Sequence, residues 1–148
     1  MRIIGVDNQM VEMKIAGYEM PGCNDYEDGN WLEVTFDIKS KFGNWSVTDS
    51  CLTTEELIEI RDWLQQMATS GAPLFDDLMF LEPCLSFEFI GNDNGDAKFR
   101  IIFEGELRPM NANGQEEISI EVVVNEEGLR RLVEELDVMI GKFPVVSG

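Results

Sequence analysis

Histidine is absent from the 148-residue sequence, which narrows the chemistry open to the protein. Nucleophilic catalysis by serine or cysteine usually needs a neighbouring base, most often histidine. The sequence also lacks a GxSxG nucleophile elbow, a Walker A loop and a GxGxxG motif. These absences argue against hydrolases and nucleotide-dependent enzymes. We therefore expect a protein with no catalytic residues and no cofactor.

Basic side chains are scarce, with 11 lysines and arginines against 29 acidic residues and a formal net charge of -18. The acidic surplus is spread along the whole chain. Such a surface repels the phosphates of nucleic acids and the head groups of anionic lipids, so we expect neither nucleic acid nor membrane as a partner. A basic protein would instead be attracted, and its association would slow as salt rises.

Cysteines are few and long apolar runs are missing. Cys23, Cys51 and Cys84 are widely separated and form no CxxC pair, so without histidine no metal site is expected. Small buried hydrophobic residues with reduced thiols are the simplest interpretation of all three.

No run approaches the roughly 20 apolar residues of a membrane span, and residues 1–15 lack the features of a signal peptide. We expect a cytoplasmic protein.

Alternation of apolar and polar residues predicts β-strands in the first and third parts of the chain. Two short strands are predicted over residues 2–6 and 10–17, followed by a turn-rich loop over 18–30. Residues 31–39 alternate clearly, and the chain then turns back. Later strands are predicted from alternation at Leu85, Phe87 and Phe89, at Phe99, Ile101, Phe103 and Leu107, and at Ile118, Ile120, Val122 and Val124. Residues 74–83 fit either short strands or a covered loop.

Two amphipathic helices are predicted from their caps. Thr53 with Glu56 three residues later forms a capping box, and the first helix ends at Ser70-Gly71. Asn125 caps the second helix, whose apolar stripe ends near Gly141. Strands with one apolar face and only two helices indicate an α+β fold. We expect a single two-layer domain over residues 1–148, with both helices on one face of a mostly antiparallel sheet.

Strand parity suggests where a partner could bind. If Phe36, Phe87, Phe103 and Val122 face the helices, the opposite sheet face carries carboxylates among aliphatic side chains. Such a face could receive a basic, partly apolar protein surface, although an ordinary solvated face fits the pattern as well. The predicted partner-binding residues are Trp31, Glu33, Asp37, Glu88, Glu104, Glu106 and Glu121.

Arg108 stands out in a chain with so few bases. It could pair with a carboxylate such as Glu82 and thereby hold Pro83 and Pro109 near one another. An arginine–carboxylate pair has a specific geometry, so the predicted role of Glu82 and Arg108 is structural.

An ordered series of short motifs runs through the chain. Its members are Ile3-Ile4-Gly5-Val6, Trp31-Leu32, Trp45, Asp49-Ser50-Cys51-Leu52, Glu56-Leu57, Trp63-Leu64, Glu82-Pro83-Cys84-Leu85-Ser86-Phe87, Phe103-Glu104-Gly105-Glu106-Leu107-Arg108-Pro109 and Gly141-Lys142-Phe143-Pro144. In order and spacing this series resembles the WapI-type immunity proteins over essentially the full length. The resemblance implies stoichiometric, non-enzymatic binding of a WapA-type nuclease toxin domain in the bacterial cytoplasm.

Two alternatives remain at this stage. One is a generic protein-interaction domain without a toxin partner, which the same acidic surface would serve. The other is an enzyme that uses only carboxylates, as glycoside hydrolases do. The enzyme would need two acids converging in a deep pocket with raised pKa values.

Overall fold

The computed structural model describes residues 1–114 and 116–147. The strands form two four-stranded antiparallel sheets, each in the order of the chain. Sheet 1 contains β1 (Arg2–Ile4), β2 (Met10–Tyr18), β3 (Trp31–Ser40) and β4 (Gly43–Thr53). Sheet 2 contains β5 (Asp77–Met79), β6 (Leu85–Asp93), β7 (Asp96–Phe103) and β8 (Ile118–Val124). The helices are α1 (Tyr26–Gly29), α2 (Thr54–Ser70) and α3 (Glu126–Lys142), with 3-10 turns at Val6–Asn8 and Gly105–Leu107.

The predicted α+β class is confirmed, but the expected single sheet is replaced by two. Each sheet is a meander of four neighbouring strands followed by one long helix. The 17-residue helix α2 separates β4 from β5, so the later strands begin a new sheet instead of extending the first. Alternation along a strand reveals its two faces and does not reveal its pairing partners.

Both long helices begin as predicted. Thr53 Oγ1 accepts a hydrogen bond from the Glu56 N–H at 3.2 Å, and Glu56 Oε1 accepts one from the Thr53 N–H at 2.9 Å. Asn125 Oδ1 accepts from the Gly128 N–H at 2.8 Å at the start of α3. Helix α2 ends where Gly71 adopts a φ of 82°, a conformation that glycine takes without steric cost. Sequence-local capping therefore determines these boundaries.

The inner faces of both sheets and α2 contribute to the apolar core. Phe36 of sheet 1 and Phe103 of sheet 2 meet edge to face, with ring centroids 6.3 Å apart. Trp63 of α2 lies 5.7 Å from Phe87 and 5.5 Å from Phe99 between ring centroids. The first contact joins the two sheets, and the contacts of Trp63 join α2 to sheet 2.

Several loop expectations are refined by the structure. The predicted turn-rich loop at 18–30 contains the short helix α1. Asp25 caps its start, and the Asp25 carboxylate accepts from the Glu27 and Asp28 N–H groups. Within residues 74–83, only Asp77–Met79 forms a strand. None of the helices in the described ranges is long and apolar enough to cross a bilayer.

Candidate partner-binding surface

The chain between α2 and β6 lies along α2 and is held there by three hydrogen bonds. The Trp63 indole N–H donates to the Phe75 carbonyl at 3.0 Å. The Leu74 N–H donates to Gln66 Oε1 at 2.9 Å, and the Leu81 N–H donates to Glu56 Oε2 at 2.9 Å. Because these bonds are spread over the length of the helix, they fix the backbone of the connection.

This fixed connection exposes large apolar side chains. Leu74, Phe75, Met79 and Leu81 are 78%, 76%, 69% and 77% exposed, and we call residues 74–81 the apolar segment. Phe80, in the same stretch, turns inward and packs on Phe87 with ring centroids 6.2 Å apart. An apolar cluster left in water on an ordered backbone is typical of a surface that meets another protein.

A cleft of about 350 Å³ adjoins the end of the apolar segment at Leu81. It is lined by Tyr26, Glu27, Asp28, Asn30, Trp31, Thr53, Glu55 and Leu81. The Tyr26 hydroxyl donates to Glu55 Oε2 at 2.5 Å, and this bond to a carboxylate raises the pKa of Tyr26. Aromatic walls and carboxylates at the mouth suit a cationic side chain such as arginine.

Asn30 positions the aromatic side of this cleft. The buried amide donates to the carbonyls of Tyr26 and Val146, both at 2.8 Å. Its oxygen accepts from the Thr54 hydroxyl and from the Val146 N–H, both at 2.7 Å. One side chain therefore joins α1, the start of α2 and the C-terminal segment.

Acidic residues also collect near Leu81. Burial raises the pKa of the half-buried Asp49, and the neighbouring charges of Glu106, Glu82 and Glu19 raise it further. We call these four residues the acidic cluster. Glu82 follows the apolar segment directly, and the Glu19 N–H donates to the Trp31 carbonyl at 2.9 Å. The acidic cluster, the apolar segment and the cleft are therefore neighbours on the surface.

The predicted acidic sheet face is not one continuous face, because its members belong to different structures. Trp31, Glu33 and Asp37 lie on β3 of sheet 1, whereas Glu88 and Glu121 lie on β6 and β8 of sheet 2. Glu104 precedes the 3-10 turn that contains Glu106. The two-sheet topology separates these residues. Their role in binding stays a prediction.

Several of these carboxylates have partners within the protein. Glu88 accepts two hydrogen bonds from Arg100, at 2.9 and 3.0 Å, and Glu121 lies 3.2 Å from Lys98. The register explains this, since Arg100 on β7 is directly opposite Glu88 on one side and Glu121 on the other. Asp37 accepts from the Ser46 hydroxyl of the neighbouring strand. Cross-strand pairing thus partly neutralises the outer face of sheet 2.

The predicted pair between Arg108 and Glu82 is replaced by a different contact. Arg108 donates to the carbonyls of Asn113 at 2.6 Å and Glu116 at 2.8 Å. The guanidinium therefore closes the loop that follows it, because these carbonyls lie only a few residues away in the chain. Glu82 instead belongs to the acidic cluster.

The apolar segment was missed as a site in the sequence because an apolar run ordinarily predicts burial. A signal was present, since Leu74-Phe75 and Leu78 to Leu81 stand between Pro73 and Pro83 with two aspartates among them. Prolines at both ends disfavour a long strand or helix. Within the described residues, Asp49, Cys51 and Cys84 form one group suited to a metal.

Comparison with known proteins gives one family match. The model of the immunity protein WapI-like family matches residues 2–144. No curated protein matches the chain in sequence. Among solved structures, the crystal structure of WHY1 from Arabidopsis thaliana is similar at 11% identity and a TM-score of 0.46, covering 100% of this chain and 86% of that one. WHY3 from Arabidopsis thaliana is similar at 11% identity and a TM-score of 0.43, covering 95% of this chain and 83% of that one.

Proposed function

Because this chain belongs to the WapI-like immunity protein family, we propose that it binds and neutralises a basic toxin domain of nuclease type. In this proposal the protein acts in the bacterial cytoplasm as a single domain, without catalysis. One observation carries the proposal of a binding surface. It is the apolar segment, which is held on α2 by hydrogen bonds and adjoins, at Leu81, both the cleft and the acidic cluster.

The two kinds of side chain would contribute differently to binding. Exposed Leu74, Phe75, Met79 and Leu81 would supply the apolar anchors that dominate the affinity of a protein interface. Carboxylates around them would speed the encounter with a basic partner and select against acidic ones. A nuclease presents basic groups to hold phosphates, and an acidic inhibitor can occupy those groups in their place.

The proposed surface keeps part of the set predicted from the sequence. Trp31 lines the cleft and Glu106 belongs to the acidic cluster, so both lie beside the apolar segment. The cleft is proposed to receive a lysine or arginine of the toxin, stacked between Tyr26 and Trp31 and facing Glu55. Glu88 and Glu121 are proposed to stabilise sheet 2 through Arg100 and Lys98.

Co-expression tests the proposal most directly. A toxin domain encoded beside this gene is expressed with and without the protein, and cell survival and complex formation are measured. Survival together with a stoichiometric complex supports toxin neutralisation. Lack of protection and of binding for a basic neighbouring nuclease would favour the alternative of an interaction domain without a toxin partner.

Charge reversal tests the surface itself. The double variant Glu82→Lys/Glu106→Lys is expected to slow association with the basic toxin domain at low salt. The control Asp93→Lys/Glu134→Lys changes the net charge equally at exposed acids away from the acidic cluster. Equal association rates for the two double variants would reject this surface.

A further inference from the structure

Three potential metal ligands meet at Asp49 of the acidic cluster. One carboxylate oxygen of Asp49 and the sulfur atoms of Cys51 and Cys84 all lie within 4.8 Å of one another. Cys51 is 0% exposed and Cys84 is 3% exposed, whereas Asp49 is half-buried. The group therefore has two thiols in the interior and a carboxylate that is partly open to solvent.

The fold brings these ligands together from both sheets. Cys51 and Asp49 lie on β4, where the register shifts between the pairs Leu32–Leu52 and Val34–Asp49. Asp49 is directly opposite the fully buried Val34, and residues opposite one another on paired strands share a face, so its carboxylate is directed inward. Bulges of this kind re-aim side chains and are frequent beside functional sites.

Cys84 approaches from sheet 2. It directly precedes β6, and its carbonyl accepts from the Glu104 N–H at 2.8 Å. That hydrogen bond holds the backbone of Cys84 beside the 3-10 turn of Gly105–Leu107.

The charge around the three ligands is uncompensated. No lysine or arginine forms an ion pair with Asp49 within residues 1–114 and 116–147. The charges of Glu106, Glu82 and Glu19 disfavour its ionised form, which a backbone hydrogen bond at Ser50 favours. Placing a carboxylate inward among other acids without a cation is costly. A divalent cation would offset that cost.

We propose that Asp49, Cys51 and Cys84 bind one borderline-soft divalent cation of the Zn²⁺ class. Two thiolates and a carboxylate are a donor set that suits Zn²⁺ better than Mg²⁺ or Ca²⁺, which prefer oxygen ligands. A water would complete a tetrahedron. Binding releases one proton from each thiol, and the bound ion ties sheet 1 to sheet 2. The metal site goes beyond the proposed toxin binding and does not depend on it.

Cobalt tests the site, because Co²⁺ replaces Zn²⁺ and absorbs light when thiolates coordinate it. The reduced full-length protein is titrated with Co²⁺ alone, and absorbance and thermal unfolding are recorded. We expect one equivalent of Co²⁺ to produce a thiolate-to-cobalt charge-transfer band that Zn²⁺ removes. We also expect Zn²⁺ to raise the unfolding temperature.

Matched cysteine variants locate the ligands. Cys51→Ala and Cys84→Ala should abolish the charge-transfer band, whereas Cys23→Ala should keep it, because Cys23 is not part of the group. Asp49→Asn should keep a band but weaken Co²⁺ binding by about tenfold or more. Circular dichroism verifies the fold of each variant, and Asp49→Asn decides the question if the buried variants do not fold.

Three results would overturn the proposal. The first is a wild-type protein that gives no thiolate band. The second is a band that disappears in Cys23→Ala or persists in both folded variants of the buried cysteines. The third is unchanged affinity in Asp49→Asn.

Discussion

Glu56 connects helix capping to the display of the apolar segment. One of its oxygens accepts from the Thr53 N–H at the start of α2, and the other accepts from the Leu81 N–H. The residue is only 5% exposed, so both oxygens are used within the protein. Glu56 therefore caps α2 locally and also holds the apolar segment, which lies 25 residues further along the chain at Leu81.

Replacing Glu56 should destabilise both the start of α2 and the position of the backbone at Leu81. Glu56→Ala is expected to lower the free energy of unfolding by about 1–3 kcal/mol, because it removes a cap and leaves the Leu81 N–H without its acceptor. Urea unfolding measures the stability, and hydrogen exchange at the Leu81 amide measures the loop. Glu59→Ala, at an exposed acid of the same helix, should change stability by no more than about 0.5 kcal/mol. Unchanged exchange at Leu81 in Glu56→Ala would contradict the coupling.

Tyr26 reports on the carboxylate at the mouth of the cleft. Its pKa is raised above 10.0 because its protonated hydroxyl donates to Glu55, with burial and the Glu55 charge adding to the effect. The hydrogen bond therefore contributes below the ordinary tyrosine pKa and is lost as the pH rises through the raised value. In a Tyr18→Phe background Tyr26 is the only tyrosine left, so its absorbance titration is unambiguous.

We expect Glu55→Gln in that background to lower the pKa of Tyr26. The glutamine amide carries no charge to favour the protonated phenol. Glu126→Gln, at an acid on α3, serves as the control and should leave the titration unchanged. If Glu55→Gln gives the same titration curve as its background, the hydrogen bond does not form in solution.

The apolar segment depends on a few specific contacts to hold its exposed side chains in a fixed arrangement. Its strand β5 has three residues, and hydrogen bonds with Gln66, Trp63 and Glu56 hold the rest of the segment on α2. Leu78 and Phe80 point toward the core while Leu74, Phe75, Met79 and Leu81 stay in water. Anchored inner side chains thus allow the outer ones to remain exposed in a fixed arrangement.

Replacing an exposed aromatic side chain of the apolar segment should weaken toxin binding without unfolding the protein. Phe75→Ser is expected to cost about 2 kcal/mol in binding free energy, the size of a central interface residue. Val138→Ser, at a side chain 57% exposed on α3, is the control and should bind as the wild type does. Calorimetry with the purified toxin domain measures both. Equal affinities for the two variants would place the interface elsewhere.

At the scale of the whole molecule, the net charge of -18 opposes folding and favours capture of a basic partner. Seven ion pairs are formed by the described residues, and the acidic surplus leaves most carboxylates without one. Repulsion between these carboxylates is screened by salt, and so is their attraction to a cationic protein.

Salt should therefore act in opposite directions on stability and on association. Raising the concentration of sodium chloride should increase the free energy of unfolding, because it screens the repulsion among carboxylates. The same change should lower the association rate with the toxin domain, by roughly tenfold or more for strongly steered partners. Urea unfolding and stopped-flow mixing at several salt concentrations test both. Two effects of the same sign would refute the electrostatic account.

The sequence by itself determined what depends on neighbouring residues. Thr53, Glu56 and Asn125 defined the starts of two helices, alternation located most strands, and residue counts determined the charge. The ordered motifs indicated the immunity protein family that the family model then matched over residues 2–144. The caps, the alternation and each short motif involve residues close together in the sequence, and the net charge is a sum over all residues.

Only the tertiary structure decided which strands pair and hence which acids are neutralised. Glu88 is opposite Arg100 because β6 pairs with β7, while Glu106 joins Asp49 because a 3-10 turn meets sheet 1. The tertiary structure also leaves side chains of the apolar segment exposed to water and brings Cys51 beside Cys84. These arrangements depend on contacts between residues far apart in the chain, and periodicity along one element carries no information about them.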